Sequence, residues 1–246
     1  MRIGFLGSGN MARAIALGLN EPALFSDSGS GRAAALAIEA GGSSASNADV
    51  VEASDLIFLC HKPAQLDDVA AQIDVSGKTV VSALAVTPLE RLREAYPSAR
   101  VGRIMPNTPV EFGAGVICLA AESDVSGGVR ELVARLGDVI EIPESDFELA
   151  TAIGGCAPAF YALFAQRLVE AAVARGMSDD LARRIAGGTL SGTARLLHAT
   201  QMDTEGAMRA VASPGGLTER ALRSFDESGL NETVDRAVAT VLGEST

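Results

Sequence analysis

Arg2-Ile3-Gly4-Phe5-Leu6-Gly7-Ser8-Gly9-Asn10-Met11-Ala12 opens the chain with an apolar run and a Gly-x-Gly-x-x-Ala turn, and a helical pattern follows from Ala12 to Leu19. Each small residue has a physical task. Gly7 permits the tight turn, Gly9 lets backbone approach a pyrophosphate, and Ala12 lets the helix sit close to the sheet. The helix N-terminus then faces the phosphates, with Ser8, Asn10 and Met11 completing the loop. A glycine-rich turn alone is weak, but its place between a strand and a helix points to dinucleotide binding.

Working outward, β-like runs recur at Ile3 to Leu6, Ala23 to Ser26, Leu56 to Cys60, Thr79 to Leu84, Val101 to Ile104, Gly115 to Ala120 and Val139 to Ile142. Helical patterns separate them. Such alternation implies an α/β, Rossmann-like N-terminal domain around a mostly parallel sheet. After Pro143 the strands stop, and helical patterns cover Asp146 to Arg175, Ser178 to His198, Thr218 to Ser228 and Asn231 to Leu242. The change of period divides the chain into residues 1–145 and an all-α domain, 146–246. Ser178 and Asn231 are candidate N-caps, and Gly229 is a candidate helix stop. A helical half so rich in Ala and Gly suits close packing against a partner copy, so a homodimer is expected.

Composition narrows the partners. The formal charge of −11 disfavours nucleic acid and anionic membrane surfaces, which would repel the chain. The three cysteines, Cys60, Cys118 and Cys156, form no CxxC pair, so neither a disulfide framework nor a metal site is expected, and a reducing cytoplasm suits them. The first residues lack a signal-peptide core, and no run of apolar residues approaches 18 in number, so a soluble protein is expected.

Four further segments carry chemistry. Ser26-Asp27-Ser28-Gly29-Ser30-Gly31-Arg32 stands where an adenosine ribose would lie. Asp27 would favour NAD, whereas Ser26, Ser28 and Arg32 could hold the extra phosphate of NADP; the reading leans to NADP, and a plain polar loop is the alternative. His61-Lys62-Pro63 ends a buried strand, at the edge where doubly wound sheets bind ligands. His61 lacks an identifiable partner, so it is read as part of the cofactor wall and not as a proton donor. Met105-Pro106-Asn107-Thr108-Pro109 makes a stiff loop presenting an amide and a hydroxyl. Ser213-Pro214-Gly215-Gly216-Leu217-Thr218 leads into a helix, where free N–H groups suit a carboxylate, although a simple capped start has the same appearance.

Taken in order, Gly7-x-Gly9-x-x-Ala12, Lys62-Pro63, Met105 to Pro109, Gly155-Cys156-Ala157-Pro158-Ala159-Phe160 and Ser213-Pro214-Gly215-Gly216 resemble the pyrroline-5-carboxylate reductase family over about residues 1 to 240. The resemblance implies a Rossmann domain, then a helical dimerisation domain, with dimers often assembled into rings. It implies reduction of Δ1-pyrroline-5-carboxylate to L-proline by NAD(P)H, in proline biosynthesis. The dinucleotide would lie over Gly7 to Ala12, with His61, Lys62, Pro63 and Asn107 near its nicotinamide half. Met105, Asn107, Thr108 and Cys156 would line the substrate side, and Ser213, Gly215, Gly216, Leu217 and Thr218, from the partner subunit, would receive its carboxylate. No catalytic residue is assigned.

Departures gather at the substrate end. The family's usual Ser-Gly-Ser-Gly-Pro-Ala-Tyr stands here as Gly154-Gly155-Cys156-Ala157-Pro158-Ala159-Phe160, and Leu217 replaces a Thr. Each lost hydroxyl can cost about 1 to 3 kcal/mol if a substrate group is left unpaired. Cys156, with no His at a recognisable spacing, is read as a small packing residue and not a nucleophile. Reduction of another cyclic imine, or cofactor binding without turnover as a sensor or scaffold, are the competing readings.

Overall fold

The computed structural model describes residues 1–121 and 123–244. Its contacts separate into two compact units, residues 1–156 and 157–246.

The first unit is built on one sheet of eight strands: β1 (Ile3–Leu6), β2 (Leu24–Ser26), β3 (Ser43–Ser44), β4 (Leu56–Leu59), β5 (Thr79–Ser82), β6 (Arg100–Pro106), β7 (Gly115–Ala121) and β8 (Gly137–Glu141). The spatial order is β3-β2-β1-β4-β5-β6-β7-β8, and among the described residues only the β6–β7 pair is antiparallel. The expected mostly parallel α/β unit is therefore present. β3 carries no strand signal in the sequence, because Ser43 and Ser44 are both exposed and offer no apolar alternation.

Helices α1 (Asn10–Leu19), α2 (Arg32–Ala40), α3 (Asn47–Ala53), α4 (Leu66–Ala70), α5 (Leu89–Ala95) and α6 (Ser123–Val133) connect the strands. β1 and β4 are buried along their full length, as parallel strands covered on both faces must be. Phe5 stacks between Phe25 and Phe58, with ring centroids 5.2 and 5.0 Å away, so β2, β1 and β4 share one aromatic layer. Such pairs contribute roughly 0.5 to 1.5 kcal/mol each beyond their buried area. The order reverses between β1 and β4, and the crevice there is where open α/β sheets bind ligands.

Residues 144–155 are helical in local shape yet pack with the first unit. A 3₁₀ turn at Glu144–Asp146 leads into α7 (Phe147–Ala150) and a π-helical turn at Thr151–Gly155. Phe147 is fully buried, in a cluster with Met105 and Cys118. The period of the sequence changes at 143–147, but these contacts carry the first unit on to Cys156.

The second unit comprises α8 (Ala157–Val173), α9 (Asp179–Thr200), α10 (Thr204–Val211), α11 (Leu217–Glu227) and α12 (Leu230–Leu242). Ser178 caps α9 as expected, its hydroxyl accepting the Leu181 N–H at 3.4 Å. Gly229 also behaves as expected, left-handed at φ 77°, but it is the N-cap of α12, so Asn231 lies inside that helix and is not its cap. Helix α10 was not anticipated, since Gly206 interrupts a short pattern; Asp203 starts it by accepting the Gly206 N–H at 2.6 Å.

One helical stretch, Glu144–Val173, is long and apolar enough to cross a bilayer by length and composition. The sequence reading found no such segment because it counted uninterrupted apolar residues, and Glu148, Gln166 and Arg167 interrupt this one. Its apolar side chains stand out from the unit: Phe160, Tyr161, Leu163, Phe164 and Leu168 are all exposed. An apolar groove of about 370 Å³ runs between α8 and α9, lined by Phe164, Leu168, Ile185 and Leu190.

Candidate functional site

The Gly7-to-Ala12 turn sits at the β1–β4 crevice. Gly7 has φ 99°, and a Cβ there would lie 2.4 Å from the His61 nitrogen, so only glycine fits. Its N–H donates to the Ser26 carbonyl at 3.1 Å, and the Ser8 hydroxyl donates to the same oxygen at 2.9 Å. Gly9 has the opposite surroundings: a Cβ on it would meet nothing within 4 Å. Glycine there keeps the space above the turn open. Gly9 is also the N-cap of α1 and supplies no capping side chain, so the first-turn N–H groups are left for a ligand. Ala12 is completely buried and Met11 packs on the same core, which places them beneath the turn, while Asn10 is exposed.

A cleft of about 430 Å³ extends from this turn, with Gly7, Ser8, Gly9, Asp27, Ser28, Arg32, His61 and Lys62 on its walls. The loop after β2 decides its chemistry. Asp27 turns inward: one carboxylate oxygen accepts the Gly29 N–H at 2.7 Å, and the other accepts the Ala33 N–H at 2.9 Å and the Ser30 hydroxyl at 3.0 Å. The Ala33 backbone bond, opposed by partial burial and aided by the Gly29 and Ser30 bonds, holds this carboxyl below its usual range. Ser28 and Arg32 remain exposed on the wall. Ser26 does not join them. It is fully buried, its hydroxyl donates to the Phe5 carbonyl at 3.3 Å, and its own carbonyl accepts from Gly7 and Ser8, so it holds the turn and does not line the cleft.

At the end of β4 the Cys60 thiol is pushed up to about 12 by burial and is inert as a nucleophile. His61 Nδ1–H donates to the Lys62 carbonyl at 2.9 Å, and burial holds the ring below the usual imidazole range against that bond. The imidazole is therefore neutral near pH 7. Lys62 is exposed, and Pro63 begins the 3₁₀ turn that closes this wall.

The Met105-to-Pro109 loop behaves differently from its sequence appearance. Asn107 is 8% exposed; its Oδ1 accepts the Val116 N–H at 2.9 Å and its Nδ2 donates to the Gly154 carbonyl at 3.1 Å. The amide is thus committed to the protein. Met105 is also buried, and only Thr108 presents an exposed side chain. Cys156 is half-buried and follows the π turn, its N–H donating to the Thr151 carbonyl at 2.9 Å.

Ser213 to Thr218 belongs to the second unit. The Gly216 N–H closes a turn on the Ser213 carbonyl at 2.9 Å, and the Gly215 N–H donates to Glu219 Oε2 at 2.7 Å. The Gly215 and Gly216 N–H groups are therefore already engaged within the protein, while Gly216, the N-cap of α11, supplies no capping side chain to that helix's first turn. Ser213 is exposed, Thr218 is half-buried, and Leu217 is 79% exposed.

Ser30, Asn47 and Gln72 also line the cleft and were missed. Ser30 was legible as a neighbour of Ser28. Asn47 and Gln72 come from separate connections that only the folded sheet brings together.

Comparison with known proteins gives one consistent family. The profile described as pyrroline-5-carboxylate reductase dimerisation matches residues 144–246, and that described as NADP oxidoreductase, coenzyme F420-dependent, matches residues 2–86. A pyrroline-5-carboxylate reductase of Treponema pallidum is 31% identical over 100% of both chains. Pyrroline-5-carboxylate reductase 3 of Bos taurus is 32% identical, over 96% of this chain and 82% of the relative. Among solved structures, 1-pyrroline-5-carboxylate reductase of Streptococcus pyogenes superposes with a TM-score of 0.90 at 28% identity, covering 99% and 97% of the two chains. The Plasmodium falciparum pyrroline carboxylate reductase with NADP bound gives 0.85 at 25% identity, covering 98% and 95%.

Proposed function

This chain belongs to the pyrroline-5-carboxylate reductase family, and we propose from that premise that it reduces Δ1-pyrroline-5-carboxylate to L-proline by hydride transfer from NADPH. The carrying observation is the full-length correspondence with reductases of that one activity, at 31% identity over 100% of both chains for the relative from Treponema pallidum. The chain is an NAD(P)H-dependent oxidoreductase that self-associates through its helical part.

The residues suit the chemistry. A cyclic imine that takes a proton from water becomes an electrophile, so the protein's main work is to orient donor and acceptor. The bound dinucleotide supplies the hydride. Gly7 lets the turn pack against the His61 backbone, and Gly9 leaves room for the pyrophosphate, which Ser8, Asn10 and the first turn of α1 receive. His61 and Lys62 form the wall leading away from that turn, and Pro63 starts the 3₁₀ turn behind them. Three features support NADPH over NADH: Asp27 is occupied within its own loop, Ser28 and Arg32 are exposed beside it, and a structural relative was solved with NADP. An extra phosphate would find a guanidinium and a hydroxyl there, with the Asp27 carboxylate engaged in its own loop.

On the substrate side, Thr108, Cys156 and the Ser213-to-Thr218 loop of a partner copy are assigned to the imino acid, with the first-turn N–H groups of α11, which no side chain caps, receiving its carboxylate. The dimer is then the catalytic unit, rings of dimers are the expected assembly, and the cytoplasm is the expected location. The apolar Glu144–Val173 stretch lies within the dimerisation match, so a second copy, and not a bilayer, is its assigned partner. A second reading, reduction of a different cyclic imino acid, draws on the exposed Leu217 and the hydroxyl-free Gly154.

Steady-state oxidation of NADPH and of NADH, with the five-membered imine and its six-membered homologue, separates these readings. The proposal expects the five-membered imine and NADPH to give the highest kcat/KM. Preference for the six-membered ring would transfer support to the second reading.

A further inference from the structure

We propose that Asn107 is a positioning residue: it acts on the reaction through the Gly154 carbonyl, and does not contact the dinucleotide or the imine. The inference rests on the assignment of residues 154–160 to the substrate side made above.

Arg103, Met105 and Asn107 are spaced by two along an extended chain, which puts their side chains on one side of it. All three hold the segment between Glu144 and Gly155. The buried Arg103 guanidinium pairs with Glu144 and lies 4.3 Å from the centre of the Phe147 ring. Met105 fills the space beside the glycines; a Cβ on Gly154 would lie 3.2 Å from its Cε, and one on Gly155 would lie 3.1 Å from its Sδ. Asn107 completes the row with its bonds to Gly154 and Val116.

The sequence explains why an amide is needed. In a continuing α-helix the Gly154 carbonyl would accept from the N–H four residues on, but that residue is Pro158, which has none. The turn here is π-helical, with the Cys156 N–H reaching back to the Thr151 carbonyl. Asn107 Nδ2 supplies the donor that Pro158 cannot. Its Oδ1 is held by the Val116 N–H on β7, so the amide cannot rotate without breaking both bonds. One side chain therefore registers the start of the substrate segment against the β6–β7 pair.

A double-mutant cycle tests this. Asn107→Ala should lower kcat with the five-membered imine about 30-fold, while the Kd for NADPH moves less than about twofold. Pro158→Ala restores a backbone donor to the Gly154 carbonyl, so in that background Asn107→Ala should cost less than about fivefold. Hydrogen exchange should rise in residues 151–160 of Asn107→Ala and fall back in the double variant. Additive effects, unchanged exchange, or a tenfold rise in Kd for NADPH with kcat retained would overturn the proposal. If Asn107→Ala proves too unstable to assay, Asn107→Asp replaces it. Its carboxylate cannot donate to Gly154, so kcat relative to the parent chain should recover as pH falls and the acid regains a proton; an absence of recovery would count against the clasp. Turnover by the parent chain reports separately on the assigned reaction, and the exchange measurement tests the clasp whichever imine is the substrate.

Discussion

Phe5, Phe25 and Phe58 in the first unit are 0% exposed, whereas Phe164 and Phe225 in the second, with ring centroids 5.8 Å apart, remain 45% and 37% exposed. Aromatic side chains are paired in both units, but only the first encloses them. Among the described residues of the second unit, only Ala157, Val169 and Ala182 are buried. A unit of this kind cannot offset the entropy of ordering its helices from its own core. The dimerisation match over residues 144–246 supplies the missing surface: a second copy. The difference separates the tasks: the Gly7-to-Ala12 turn and its cleft are built within the first unit, whereas the helical half depends on association.

The largest expected effect strikes the second unit. Leu168→Asp puts a charge into the α8–α9 groove, and burial of an unpaired carboxylate at an apolar interface is costly enough to prevent association. Sedimentation should find a monomer, and turnover should fall at least about 100-fold while NADPH binding persists. A fully active monomer would break the comparison. Gly7→Ala attacks the first unit instead. Its methyl would meet the His61 backbone at 2.4 Å, so NADPH affinity should fall roughly 30-fold with the dimer intact, as calorimetry and sedimentation can check.

Two smaller effects sharpen the account of the first unit. Arg32→Ala should weaken NADPH about tenfold and NADH less than about twofold, because only NADPH carries the phosphate assigned to the guanidinium. Equal losses would move Arg32 away from that phosphate. Val86 has φ 49° and is 75% exposed, a strained conformation for a β-branched residue. Val86→Gly should raise stability by about 1 kcal/mol in thermal unfolding.

Much of the fold was legible because strand and helix periods differ and because apolar strands announce themselves. Ile3 to Leu6 and Leu56 to Leu59 are continuous apolar runs, and both became central strands. Ser43–Ser44 had no such signal, and α10 was masked by its glycine. In the site, Gly7 was legible because it answers a local steric demand, and Gly9 because it leaves the backbone of the turn uncovered. Ser26 and Asn107 were misjudged for the opposite reason. A polar residue beside a binding motif can face the ligand or satisfy a buried backbone group, and only the fold shows which carbonyl lies within reach. Asp27 illustrates the same ambiguity, since its partners Gly29, Ser30 and Ala33 were visible in sequence but the inward turn of its carboxylate was not.

The most direct test of the assigned function is to incubate the dimer with NADPH and Δ1-pyrroline-5-carboxylate and measure dinucleotide oxidised and L-proline formed in the same sample. The account predicts one proline for each NADPH consumed, with saturation in both reactants. Tight NADPH binding without proline formation would contradict it.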